Sequence, residues 1–216
     1  MKQLVDLKKE ILAGKVFIYP TDTIYGLGCN ALDIGAVERI KDIKGGDRDK
    51  PMSVIAPSMD WIKENCVVPD FANSQFGFEG HRNRFTFDDN MKPTHLPKIV
   101  KSKSPTDSAS GNPFLSKYLP GAYTLILKKK NKNFLSHVSS NDAIGVRIPD
   151  CEFTAKVQEA GVPVITTSVN LSGEKPANKI LDISEDILNS VDFAFDYGEL
   201  SGKASTLIIG DKEIER

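Results

Sequence analysis

Lys15-Val16-Phe17-Ile18-Tyr19, followed by Pro20-Thr21-Asp22-Thr23 and then Ile24-Tyr25-Gly26-Leu27-Gly28, is the stretch on which the fold turns. The first five residues are β-branched and aromatic apart from the leading lysine, which reads as a buried strand. Pro20 closes it, because proline has no N–H for a sheet ladder. Two threonine hydroxyls and a carboxylate follow at once. Ligands of open α/β sheets collect beyond the carboxyl ends of strands, so a buried strand running into a polar loop is a fold signal and a site signal together. Gly26 and Gly28 would let the backbone approach a ligand closely. Thr21, Asp22 and Thr23 equally fit the cap of a turn or helix, and both readings stand here.

Working outward, Leu4, Leu7, Ile11 and Leu12 recur at helical spacing before Gly14. After the glycines, Ile34, Val37, Ile40 and Lys41 predict a second helix that breaks at Gly45-Gly46. A strand over 52–56 and a short helix over 59–65 come next. Helix, strand, helix, strand, helix is the alternation of an α/β protein. Further on, helices are predicted over 114–119, 152–160 and 183–188, the last capped by Asp182 or Ser184. Strands are predicted over 123–127, 143–148, 162–166, 193–195 and 206–209. A chain of 216 residues suits one domain with a sizeable core, taken as 1–216. Residues 70–112 stand apart. They show no sustained period and are rich in Gly, Pro, Ser, Asn and charge, which predicts an atypical polar insertion, disordered or loosely docked. A lid anchored by Phe76, Phe78, Phe85 and Phe87 is the functional alternative, and an aberrant stretch the third.

Composition removes several classes of function. The formal net charge is −1, so any nucleic-acid or phosphate site must be a local patch. Cys29, Cys66 and Cys151 are odd in number and form no CxxC pair, which fits free thiols in a reducing cytosol better than a disulfide framework or zinc cage. No metal-ligating set is picked out. The N-terminus lacks the apolar centre of a signal peptide, and no apolar run approaches the ~18–20 residues of a membrane span, so a cytoplasmic location away from membranes is expected.

Two more loops carry candidate chemistry. Lys44-Gly45-Gly46-Asp47-Arg48-Asp49-Lys50-Pro51 sets three cations around a flexible glycine pair, suited to a polyphosphate, although the Walker A spacing is absent. It also reads as an ordinary charged loop with Asp47 and Asp49 neutralising the bases. Thr166-Thr167-Ser168-Val169-Asn170-Leu171-Ser172-Gly173 crowds hydroxyl and amide donors after a strand, suited to a phosphate, a carboxylate or a base edge. It also reads as a self-capped turn. Arg147, inside the strand-like Ile144–Ile148 run, needs a partner if buried and points at water if that strand is an edge. Lys128–Lys132 reads as a solvated strand end, and His137 as a surface histidine. No spacing enforces a Ser–His–Asp or Cys–His set.

Taken in order, YPTDTIYGLGCNA, KGGDRDKPMSV, LPGAYTLILK, IGVRIPD, TTSVNLSGEKPA and GKASTLIIG resemble the successive blocks of the YrdC-like family of threonylcarbamoyl-AMP synthases, over residues 1–69 and 113–216. The resemblance implies an α/β (α+β) fold: a twisted mixed β-sheet core with flanking helices around a concave, positively lined cavity. It implies a nucleotidyltransferase that joins L-threonine, bicarbonate and ATP, with Mg²⁺ accompanying the ATP, into threonylcarbamoyl-AMP and pyrophosphate. A threonylcarbamoyl-transferase partner then modifies a tRNA adenosine, and tRNA itself is a further candidate partner. By position, Lys44 and Arg147 would be catalytic. Thr23, Arg147, Thr166 and Ser205 would hold threonine, and Lys44, Arg48, Lys50, Ser168, Asn170 and Arg216 the nucleotide. The family's basic block reads Lys-x-Arg, and here the arginine position is Gly46, with Arg48 two places on as the nearest replacement. A catalytically impaired RNA- or nucleotide-binding module on the same fold is the alternative, and a carbamoyl-adenylate-forming domain like that of hydrogenase maturation is another.

Overall fold

The computed structural model describes residues 6–69, 112–200 and 202–215. In chain order these form α1 (Leu7–Leu12), β1 (Phe17–Tyr19), β2 (Gly26–Gly28), α2 (Ile34–Lys44), β3 (Ser53–Ile55), α3 (Met59–Asn65), β4 (Cys66–Val67), α4 (Pro113–Tyr118), β5 (Tyr123–Lys129), β6 (Ala143–Arg147), α5 (Glu152–Ala160), β7 (Val164–Ser168), a 3₁₀ turn (Ile180–Asp182), α6 (Glu185–Ser190), β8 (Phe193–Ala194), β9 (Thr206–Ile209) and β10 (Lys212–Ile214). The expected insertion at 70–112, with its four phenylalanines, lies outside the described residues except for Asn112.

All the described α-helices except α5, which begins at Cys151 without a side-chain cap, start where the sequence offers an oxygen acceptor. Asp33 accepts from the Ala36 N–H, Ser58 from Trp61, and Asn112 from Phe114 and Leu115 with Pro113 at the first turn. Of the two candidate caps for α6, Ser184 is the one used, accepting from Ile187 N–H. Each such cap stabilises its helix by ~1 kcal/mol.

The strands form one mixed sheet in the order β10-β9-β5-β6-β3-β7-β2-β1-β8, with β4 paired to β5. β1–β8, β3–β6 and β5–β9 run parallel, and the other pairs antiparallel. This is the mixed sheet with flanking helices that the resemblance implied.

Register decides what each face does. Successive side chains of a strand point to opposite faces, and directly paired residues share a face. The pairs Tyr19↔Gly26, Gly26↔Ser168, Ser53↔Thr166, Ser53↔Gly145, Ile126↔Gly145 and Ile55↔Arg147 therefore lie on one face. The opposite face carries Ile18, Leu27, Val54, Leu125, Val146 and Ile165, all buried with Val37 and Ile40 of α2, Ile62 of α3 and Leu115 of α4 in the main core. On the first face only one end is covered: Phe17, Tyr19, Ile55 and Val164 pack with Ile11 of α1 and with Phe153 and Val157 of α5. The remainder of that face, which mixes the small or polar Gly26, Ser53, Thr124, Gly145, Thr166 and Ser168 with Ile126, Leu207 and Ile209, has no helix over it and becomes a floor.

Three differences from the sequence reading have physical causes. The segment 26–28, read as loop, is the strand β2. Its glycines are poor strand formers, but a Cβ at Gly26 would come 2.7 Å from the Tyr19 ring, and one at Gly28 equally 2.7 Å. Tertiary packing selected the glycines, not strand propensity. A hairpin strand, β10, follows Gly210 beyond the predicted last strand. Lys129 is not solvated: it faces inward, 2% exposed, and its ammonium donates to the Lys132 and Ser139 carbonyls at 2.9 Å each. Burial lowers its pKa.

Candidate functional site

The bare floor is enclosed by three loops into a cavity of about 990 Å³, at the upper end of ordinary small-molecule sites. β3, β5, β6, β7 and β9 supply the floor through Ser53, Thr124, Gly145, Arg147, Thr166, Ser168 and Leu207. The walls come from the loop after α2, the loop after β7 and the segment 202–205. Cationic lining residues are Lys41, Lys44, Lys50, Arg147, Lys175 and Lys203, against the carboxylates Asp47 and Asp182. Such a surplus in a concavity favours an anionic ligand.

Lys44 is the last residue of α2. Its ammonium reaches across to the loop after β7, donating to the Ser168 carbonyl at 2.7 Å, the Asn170 carbonyl at 3.0 Å and Asn170 Oδ1 at 3.4 Å. The backbone is joined there too, Ser172 N–H donating to the Lys44 carbonyl at 2.9 Å. Two loops more than a hundred residues apart in sequence are thus fastened at one cation. Burial, reinforced by the charge of Lys50, pulls the Lys44 amine down to about 8; an anion beside it would reverse both effects. The Ser168 hydroxyl donates to Asn170 Oδ1, and Asn170 Nδ2 donates to the Leu171 and Glu174 carbonyls at 2.8 Å each.

At the covered end of the floor lies Arg147, 5% exposed. It sits in a central strand, so the water-facing reading is set aside. Its Nη2 donates to Asp22 Oδ1 at 2.5 Å and its Nη1 to Thr23 Oγ1 at 3.3 Å, while Nε is buried with no partner among the described residues. A buried unsatisfied donor costs about 1–3 kcal/mol, which an acceptor brought to Nε would recover. The Asp22 carboxylate also accepts the Asp150 N–H at 2.9 Å through Oδ2. The Thr21 and Thr23 hydroxyls are 2.9 Å apart, and Thr21 donates to the Ile24 carbonyl at 2.7 Å. Thr23 is buried under the segment around Gly202, where an added Cβ would come 2.3 Å from the Thr23 carbonyl oxygen. Thr21, not Thr23, is the threonine of this loop that lines the cavity. Ser205, also lining, shares a 2.8 Å hydrogen bond with Thr124.

Of the residues singled out by sequence, Lys44, Lys50, Arg147, Thr166, Ser168, Asn170 and Ser205 meet around this one cavity, and Thr23 lies beneath it, bonded to Arg147. Arg216 lies outside the described residues. Arg48 is not in the lining: it is half exposed and tied to Asp42 and Glu38 of α2. These carboxylates, one helical turn apart on the neighbouring helix, give it a nearer pair of partners than the cavity does. Gly46 has φ +74°, and a Cβ there would meet Ser172 Cβ at 2.8 Å. Gly46→Arg is therefore expected to lower stability by about 1–3 kcal/mol, read as a lower melting temperature, without raising activity. Sequence reasoning missed Asp22 as the partner of Arg147, and Ser53, Thr124, Lys175 and Lys203 as lining. A carboxylate flanked by threonines after a strand was the available signal for Asp22. The others lie inside the family-like blocks, but their chemistry gave no separate signal: register places Ser53 and Thr124 on the floor, and loops bring in Lys175 and Lys203.

Other chemistry-bearing groups have structural roles. The half-buried His137 bonds the Ala31 carbonyl at 2.8 Å. The three cysteines are free, burial raising the Cys29 thiol and pushing Cys66 up to about 11, so those two are unreactive. Among the described residues, no group of three or more His, Cys, Asp or Glu could hold a metal ion, and no helix is long and apolar enough to cross a membrane.

Fold and site together define an α/β protein with a cation-lined cavity over the uncovered face of its sheet. The Sua5/YciO/YrdC family model, described as "Telomere recombination", matches residues 9–80 and 91–214. The chain belongs to that family. It is 32% identical over 208 residues to a putative threonylcarbamoyl-AMP synthase of Methanocaldococcus jannaschii, covering 96% of this chain and 80% of that protein. It is 26% identical over 200 residues to the threonylcarbamoyl-AMP synthase of Pyrococcus abyssi, covering 92% of this chain and 48% of that one. The crystal structure of Pyrococcus abyssi Sua5 complexed with L-threonine superposes with a TM-score of 0.66 at 25% identity, covering 93% of this chain and 48% of the other. The chain thus spans about half the length of these Pyrococcus relatives.

Proposed function

We propose that this chain is an L-threonylcarbamoyladenylate synthase. Threonine's amine adds to the carbon of bicarbonate with loss of water, giving a carbamate. The carbamate oxygen then attacks the α-phosphorus of ATP, and the O–P bond to pyrophosphate breaks. The reading rests on one observation: the Lys44 cluster and the Arg147 cluster, distant in sequence, open into one cavity. The first suits a triphosphate and the second an amino-acid carboxylate. A relative's complex with L-threonine supports threonine as the amino acid.

The chemistry needs charge neutralisation and alignment more than a protein nucleophile. Lys44, Lys50 and Lys203 would screen the phosphates, and Ser168 and Asn170 would orient the nucleotide. Arg147, Thr166 and Ser205 would seat threonine, with Thr23 holding the Arg147 guanidinium from below. MgATP enters as the substrate, since Mg²⁺ keeps most of its waters and binds phosphate oxygens. The only carboxylates among the described lining residues are Asp47 and Asp182. The product would pass, in the cytoplasm, to a transferase acting on a tRNA adenosine.

Pyrophosphate release is expected only when ATP, L-threonine and bicarbonate are all present, with a threonine-dependent AMP adduct seen by mass spectrometry. Release without threonine, or with carbamoyl phosphate in place of threonine and bicarbonate, would replace this reading by the carbamoyl-adenylate alternative. No adduct at all would leave a nucleotide-binding module.

A further inference from the structure

We infer that Asp22 is a positioning residue, which locks the Arg147 guanidinium so that an amino-acid carboxylate meets it in a single orientation. The inference rests on the function proposed above and deepens it.

Asp22 follows the end of β1, and Asp150 follows the end of β6. One carboxylate spans the gap between them: Oδ2 accepts the Asp150 N–H at 2.9 Å, and Oδ1 accepts Arg147 Nη2 at 2.5 Å. The carboxylate is therefore pinned by backbone before it pins the arginine. Thr23, the next residue of the same loop, takes Nη1 at 3.3 Å and is itself held by Thr21 at 2.9 Å. A guanidinium is planar, with its donors in a fixed fork. Fixing two of its nitrogens fixes the plane and leaves Nε, the donor with no partner among the described residues, in a set direction. Arg147 lines the cavity and is 5% exposed, so the side chain has little room to swing.

An arginine free to rotate would bind a carboxylate in several poses. The amine three bonds from the carboxylate oxygen would then sweep an arc, when it must present one lone pair to bicarbonate. Removing the lock should cost alignment of threonine and leave the nucleotide end untouched.

The test compares wild type, Asp22→Asn, Arg147→Lys and the double variant. Asn keeps the Asp150 contact through its carbonyl oxygen but loses the charge. Asp22→Asn is expected to raise the KM for L-threonine by about 10- to 100-fold, the loss of a charge-assisted hydrogen bond, with the KM for ATP within about twofold. In the Arg147→Lys background the same change should have an effect of about twofold or less, because the group it acts through is gone. An equal rise in both KM values, or full additivity in the double variant, would overturn the inference. An independent reading comes from ¹⁵N NMR of the free protein. The Arg147 Nε–H signal should be a single protected resonance in wild type and shift or broaden in Asp22→Asn. If wild type forms no adduct, the proposed function falls while the NMR comparison still decides the positioning role. An unchanged Nε–H signal refutes that role whatever the activity.

Discussion

Lys44→Ala is expected to lower ATP-dependent pyrophosphate release by about 100- to 1,000-fold, the loss seen when a preorganised charge-stabilising donor is removed from a reacting centre. The ammonium is held across the gap between α2 and the loop after β7 by three oxygen acceptors, so its position is set before any ligand arrives. The melting temperature should change little, because the buried charge is itself unfavourable. Its amine titrates near 8, not 10.5, so folding favours the neutral form. The cost to stability is present in full below about pH 8 and is relieved as the pH rises from 8 toward 10.5. Binding of phosphate runs the other way, since it needs the proton. Hence kcat/KM for ATP in wild type should be full at pH 7 and fall as the pH passes about 8. That descending limb should be missing from the residual activity of Lys44→Ala. A pH profile of both proteins, with melting curves, checks all three statements.

Arg147→Ala should abolish threonine-dependent turnover and also destabilise the fold. It strands Asp22, whose side chain is 12% exposed, without its counter-ion. Breaking a buried pair by removing one partner costs about 3–5 kcal/mol, which for a chain of this size lowers the melting temperature by roughly 6–20 °C. Losses of stability and activity are separable. Arg147→Met with Asp22→Asn removes both charges and keeps an acceptor for the Asp150 N–H, so the melting temperature should largely recover while threonine use does not. A double variant as unstable as Arg147→Ala would mean that the pair is not what holds this corner.

The same two residues show how far a sequence can be read. The strand Phe17–Tyr19 and the polar loop after it were legible, because β-branched and aromatic residues ended by proline admit few conformations. So were α2, α3, α5, β5 and β6, where hydrophobic period and punctuation agree. The candidate loops were legible as well, from donor density alone. The partner of Arg147 was not. Asp22 could as well have capped a turn, and only the pairing of β6 beside β3, with β1 three strands further on past β7 and β2, brings its carboxylate to the guanidinium. Arg48 shows the reverse error: it looked like a phosphate ligand by proximity to Lys44, yet the helix it follows presents Glu38 and Asp42 to it. Gly46 likewise looked like a lost arginine. Its left-handed backbone against Ser172 shows a position where a side chain does not fit.

By itself, then, the chain determined most of its elements, its family resemblance and the kinds of donor at its disposal, because these follow from local periodicity, turn chemistry and residue type. Tertiary structure alone decided that β2 is a strand, that Lys129 turns inward, that Gly145, Ser53 and Thr166 form a bare floor, and that Asp22 holds Arg147. Those outcomes depend on register and strand order, which bring together residues more than a hundred positions apart, and no local pattern encodes which face of a sheet will be left uncovered.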